Sequence, residues 1–228
     1  MRKTMPYLTL ANRLLSIDNA KERALLCLIY AGMCREGEVV RGRYSKSKAM
    51  LSDAITSFEN KIVISVQCGK AKKVKKKQRV KVDGLFIEKW LPVPVVVRSG
   101  NLTREVHVFR NREAWLCNVI EGWVEVVGPN RYLFDYSTTW AEQIFKKHFP
   151  EFCSRRTGNV FGSEHTIHWL RGWRYTHYRK GFVTGRRVDA KLASQLGGWV
   201  NASVPEHYYN FSTVADSLDE LENKEALE

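Results

Sequence analysis

Residues 165–178 read HTIHWLRGWRYTHY, with three histidines (His165, His168, His177) and two arginines (Arg171, Arg174) set among aromatic and β-branched residues. Three chemistries use such a set: a metal site, a face for nucleic acid, or a site that reacts at phosphate. No carboxylate or cysteine nearby in the sequence completes a known ligand spacing for the histidines, which argues against the metal. Arginine favours phosphate, because a planar, permanently charged guanidinium matches two phosphate oxygens at once. A second basic stretch, GKAKKVKKKQRVK (69–81), carries eight basic residues between Lys70 and Lys81 and no acid. Lys72, Lys73, Lys75, Lys76, Lys77 and Arg79 in this run, with Arg174, are candidate contacts to a DNA backbone.

Several elements must position these residues. Ala24, Leu25, Leu28 and Ile29 recur at helical spacing, so 7–34 reads as one or two helices. AITSFENKIVISVQ (54–67) reads as a β-hairpin turning at Glu-Asn-Lys, and VPVVVRSGNLTREVHVF (93–109) as another turning at Ser-Gly-Asn. Trp115, Val119 and Trp123 at four-residue spacing predict a helix over 112–127. Further helices are expected over 138–149, stopped before Pro150, over about 167–181, and over 188–198, closed by paired glycines. The expected fold is mainly α with a small antiparallel β-sheet (α+β).

Composition bounds the partners. The 228 residues carry 37 Lys+Arg against 24 Asp+Glu, a formal charge of +13, while apolar content is an ordinary 44%. That pairing describes a folded chain with the electrostatic footprint of a nucleic-acid binder. No apolar run approaches the roughly 20 residues of a membrane span, and the N-terminus lacks the continuous apolar stretch of a signal peptide. Five cysteines, odd in number and without a C-x-x-C pair, read as reduced thiols of a cytoplasmic protein.

Three ordered stretches then resemble one family. His168-Trp169-Leu170-Arg171, followed by Tyr175-Thr176-His177, resembles the H-x-L-R…A-T-H box of the tyrosine recombinases, the phage-integrase-like family. Upstream, YAGMCREGE, holding Arg35 and Glu38, resembles that family's first arginine box at a helix end. Downstream, Leu196-Gly197-Gly198-Trp199, with Tyr208 nine positions beyond Trp199, resembles its closing box. The general look, with Gly-Trp in the last box, is closer to integrases of archaeal viruses and plasmids. The similarity covers about residues 10–211, which implies a catalytic domain over 1–211 with the recombinase catalytic-domain fold.

The resemblance implies a site-specific DNA recombinase or integrase. In such an enzyme a tyrosine, here Tyr208 with Tyr209 as its neighbour and rival, attacks a DNA phosphodiester and leaves a 3′-phosphotyrosyl link and a 5′-hydroxyl. Arg35 and Arg171 would clamp the phosphate oxygens, His168 would donate a hydrogen bond or take the phenolic proton, and Trp199 would contact the phosphate through its indole N–H. Lys70 is the positional match for the lysine that protonates the leaving oxygen, with Lys72 and Lys73 as competitors. Glu38 would hold Arg35. Neither metal nor ATP is implied, because the covalent link conserves the bond energy. Double-stranded DNA is the expected partner, bound by a homo-oligomer of two to four copies.

Departures from the pattern shape further expectations. Only 34 residues precede Arg35, too few for the N-terminal clamping domain of full-length relatives. Met33-Cys34 adds a residue to the first box, Gly172 and Trp173 replace small polar residues, and GFVTGRRVDA (181–190) reads as an insertion. The acidic tail 212–228, with Val214, Leu218 and Leu221 on one side if helical, is expected to pack on a neighbouring protomer. A type IB topoisomerase-like nicking-closing enzyme, or an inactive DNA-binding module of the same fold, are the alternatives.

Overall fold

A computed structural model describes residues 5–40, 49–67, 103–153, 167–199 and 203, together with the backbone of four strand segments between 73 and 96. The tail 212–228, and with it the packing expected of that tail, lies outside the described residues.

The fold is α+β, built on two buried helices. Helix α1 (Tyr7–Leu15) leads into α2 (Ala20–Ala31), whose start is set by Asn19: its side chain accepts from the N–H groups of Lys21 and Glu22, both at 3.1 Å. Every residue of α2 from Ala24 to Ala31 is buried, as expected of a helix that is apolar all round. The short α3 (Glu36–Val39) follows directly. Strands β1 (Ile55–Ser57) and β2 (Lys61–Gln67) form the first predicted hairpin, and Phe58 N–H donates to the Lys61 carbonyl across the turn.

The second predicted hairpin, within 93–109, is not what forms. Segments β3 (Lys73–Val74), β4 (Lys77–Val82), β5 (Leu85–Trp90) and β6 (Val95–Val96) precede β7 (Thr103–Phe109). The pairing is nested: β7 runs antiparallel to β2, β6 to β3, and β5 to β4. The three-stranded sheet therefore has the order β1-β2-β7. Alternation along TREVHV shows which residues share a face but not which strand is the partner. Here Val106 and Val108 lie opposite Ile64 and Ile62, and all four are buried, so core burial selects β2 over the nearer segment.

The remaining helices are α4 (Arg110–Val127), α5 (Thr138–His148), α6 (His168–Lys180) and α7 (Ala190–Leu196), close to the expected spans. Ser137 caps α5 and Asp189 caps α7, each accepting from the N–H three residues on. Helix α6 is buried from Trp169 to Tyr178 and, with α2, forms the centre of the molecule. A large core joins α1, α2, α4, α5 and the sheet, and packs Trp169 and Trp173 against Phe152. A smaller core of Met33, Tyr175, Tyr178, Val183, Val188 and Ala193 holds α7 against α6, with Leu196 and Trp199 at its rim.

Candidate active site

The stretch that resembles the first arginine box occupies the turn from α2 into α3. Met33 takes a left-handed conformation (φ 45°), and Gly32 is packed so closely that an added Cβ would stand 2.6 Å from Cys34 Sγ. This tight turn places Arg35 at the head of α3. There its backbone N–H donates to Glu38 Oε2 at 2.8 Å, while its guanidinium, one-third exposed, lies 3.5 Å from Glu38 Oε1. The reading of Glu38 as the holder of Arg35 matches this geometry.

The stretch that resembles the second box is the start of α6. His168 is the first residue of the helix and Arg171 follows one turn later, so both face the same side. Arg171 is 2% exposed; one Nη donates to the Gly197 carbonyl at 3.1 Å, and the guanidinium carbon sits 4.8 Å from the Trp199 ring centroid. That is cation–π distance. Trp199 is in turn fixed by an edge contact with Tyr175 at 5.7 Å and by its backbone N–H, which donates to the Ser194 carbonyl. The second and third boxes thus meet directly.

Box one reaches box two through Glu36. A carboxylate oxygen of Glu36, one of Glu142 on α5, and a ring nitrogen of His168 all lie within 4.8 Å of one another. Glu142 Oε2 also accepts from the Ile167 N–H at 3.2 Å, placing negative charge at the start of α6, where the helix dipole favours it. Two carboxylates and an imidazole are a donor set that divalent ions accept. This is the one such group among the described residues. Neither glutamate is close to His168 in sequence, which is why no ligand spacing was visible there.

Arg104 is the residue that sequence reasoning missed. It reaches from β7 to donate through Nη1 to the Gly32 and Leu196 carbonyls (2.6 and 2.9 Å) and through Nη2 to the Met33 carbonyl (3.1 Å). Glu38 lies 3.6 Å from the same guanidinium. One side chain therefore ties the end of α2, the end of α7 and α3 to the sheet. The signal was present: Arg104 shares its strand face with Val106 and Val108, both fully buried, so an arginine stood on an inward face.

Arg174, assigned from sequence to DNA contact, is corrected. It is fully buried, in a two-point ion pair with Glu113 (2.5 and 2.8 Å), and its guanidinium packs over Tyr30 and Tyr178. Its charge is already committed to the buried Glu113 carboxylate, so it is a core ion pair and not a contact to a DNA backbone. Glu113 departs from helical geometry within α4 (φ −135°, ψ 44°), the local distortion that accompanies this pairing. His177 is likewise interior: Nε2 lies 2.9 Å from the Met5 carbonyl and Nδ1 2.7 Å from the Tyr30 hydroxyl. Burial pushes its pKa down to about 3, so it is a neutral core residue. Burial also pushes the Cys34 thiol, beside the first box, up to about 12, which removes it as a nucleophile.

Lys70, Lys72, Lys75, Lys76, His165, Tyr208 and Tyr209 lie outside the described residues. The backbone of Lys73 falls in β3, and that of Lys77 and Arg79 in β4. A scan against protein-family models and a search of curated proteins found no match to this chain.

Proposed function

We propose that this chain is a tyrosine-type DNA strand transferase, a site-specific recombinase or integrase whose reaction uses neither metal nor ATP, with Glu36 and Glu142 flanking the His168 imidazole and no ion required between them. The observation that carries the reading is convergence. Segments around residues 35, 168–171 and 197–199 are distant in sequence and resemble one family's three boxes. They lie near the start of α6: a Glu36 carboxylate oxygen stands within 4.8 Å of a His168 ring nitrogen, and Arg171 contacts Gly197 and Trp199. Chance matches to three short patterns carry no requirement to meet in space.

In this reading Tyr208 Oη bonds to a DNA phosphorus while the P–O5′ bond breaks. His168 receives the phenolic proton or donates to a phosphate oxygen, and Lys70 gives a proton to the departing 5′-oxygen. Arg35 and Arg171 hold the non-bridging oxygens as charge develops on them, the term that dominates phosphoryl catalysis. Trp199 rests on the Arg171 guanidinium, so in this reading the indole N–H and the guanidinium serve the same phosphate. Partners are double-stranded DNA and further copies of the chain, and the site of action is the cytoplasm. No helix among the described residues is long and apolar enough to cross a membrane.

A second reading, a DNA-binding module of the same fold without catalysis, draws support from the burial of Arg171. A trapping assay separates the two. The protein is incubated with nicked duplexes in EDTA without ATP and resolved on denaturing gels beside Tyr208→Phe and Tyr209→Phe. A protein–DNA adduct lost in Tyr208→Phe alone is the expected result. Salt-sensitive binding with no adduct in any form selects the module.

A further inference from the structure

The stretch GFVTGRRVDA has no part in the chemistry above, yet it builds a feature of its own. Residues 181–189 fold back from the end of α6 to the start of α7. The Val188 N–H donates to the Tyr178 carbonyl (3.1 Å), the Gly185 N–H to the Gly181 carbonyl (2.8 Å), and Arg179 to the Val188 carbonyl (2.6 Å). The turn is therefore held by its own backbone and is not a loose loop. It faces the start of α4, and between them lies a cleft of about 570 Å³ lined by Arg112, Arg186 and Arg187, with Asp189, Thr184 and Phe109.

Three observations give this cleft a ligand class. Its lining holds three arginines and one acidic residue, Asp189, whose carboxylate also caps α7 by accepting the Leu192 N–H. The arginines come from two segments more than 70 positions apart, and the fold packs them closely. Gly185 has φ +74°, and a Cβ there would stand 2.5 Å from Arg112 Nη2, so the turn rests directly on that guanidinium. Like charges gathered this way make the local potential positive, which favours an anion among them. Arg112, Arg186 and Arg187 are all exposed, so the anion reaches them from solvent.

Position selects which anion. Helices α6 and α7 and strand β7 each run from the candidate active site to the cleft. Arg171 and Arg179 are eight residues apart on α6, about 12 Å at 1.5 Å per residue. Arg104 and Phe109 are five apart on β7, about 17 Å at roughly 3.3 Å per residue. A duplex presents a phosphate on each strand about every 3.4 Å of its helix axis, so DNA engaged at the first site has backbone phosphates about four or five nucleotides along the axis at that range. We propose that the Arg112–Arg186–Arg187 cleft is a second DNA-backbone site, which grips phosphates flanking the point of cleavage and sets the register of the duplex. This rests on the reading that the substrate is DNA, but not on catalysis.

The test uses the full chain. Arginines are modified with phenylglyoxal with and without a duplex of about 30 base pairs, and modification at each arginine is quantified by peptide mass spectrometry. Threefold or greater protection of all three cleft arginines by DNA is expected. In parallel, Arg186→Gln/Arg187→Gln should flatten the dependence of log affinity on log salt by about two, since each phosphate contact contributes about 0.9 to the slope. Unprotected cleft arginines in a protein that still forms the tyrosine adduct overturn the proposal and leave the enzymatic reading standing. Protection with no adduct does the reverse. Equal protection by millimolar inorganic phosphate assigns a small-anion site and overturns the DNA claim.

Discussion

Arg171 and Arg174 lie three residues apart on one helix, and their partners give them different work. Arg171 points to a carbonyl and an indole belonging to another candidate box; Arg174 points to a buried carboxylate. Removing one partner of a buried pair strands the other charge, so Arg174→Ala should lose about 3–5 kcal/mol of stability. Arg174→Met combined with Glu113→Leu should recover most of that loss in a thermal melt. DNA affinity in the double variant should match that of the parent, and a large drop would restore Arg174 as a DNA contact. Arg171→Lys keeps the charge but loses the planar fork. Its adduct yield should fall about a hundredfold, the scale seen when one preorganised donor is lost, with DNA affinity within about threefold. An equal fall in both would make Arg171 a binding residue only.

At the scale of elements, the helices were legible because their signals are local. Apolar spacing, Pro150 and the paired glycines marked them in the sequence, and in the structure Asn19, Ser137 and Asp189 cap α2, α5 and α7. The strand partner of β7 was not legible, since burial of Val106 and Val108 against Ile64 and Ile62 is settled only when distant segments meet. The same limit applies to the site. His168, Arg171 and Trp199 stood out by type, and Arg104 was marked only by its place on the inward face of β7, whereas Glu36 and Glu142 matter through contacts that no spacing encodes. Arg104 braces elements without touching a reacting group, so its loss should misplace the site instead of emptying it. Arg104→Gln is expected to lower the rate of adduct formation at least tenfold while leaving DNA affinity nearly unchanged, with partial rescue in Arg104→Lys. Parallel loss of rate and affinity, tracking loss of helicity, would reduce Arg104 to a packing residue.

The whole molecule combines a strongly basic surface with a core that holds titratable groups. His177 sets a direction for its acid response. Its folded pKa lies near 3 because burial disfavours the imidazolium, against about 6.5 in an unfolded chain. Below pH 6.5 the unfolded state binds a proton that the folded state refuses, so stability falls as pH drops from about 6.5 towards 3. The slope approaches about 1.4 kcal/mol per pH unit. Between pH 6.5 and 5, above the range where most carboxylates titrate, His177→Gln should show a flatter dependence in urea unfolding; an unchanged slope would mean that another group governs it.

The central claim is that the three boxes meet to make a tyrosine react with DNA. It is tested most directly by digesting the trapped protein–DNA complex and locating the nucleotide remnant by mass spectrometry. A phosphonucleotide on Tyr208, with a free 5′-hydroxyl on the released strand, is the result this account predicts. A remnant on another residue type, or a 5′-phosphate on the released strand, would contradict it.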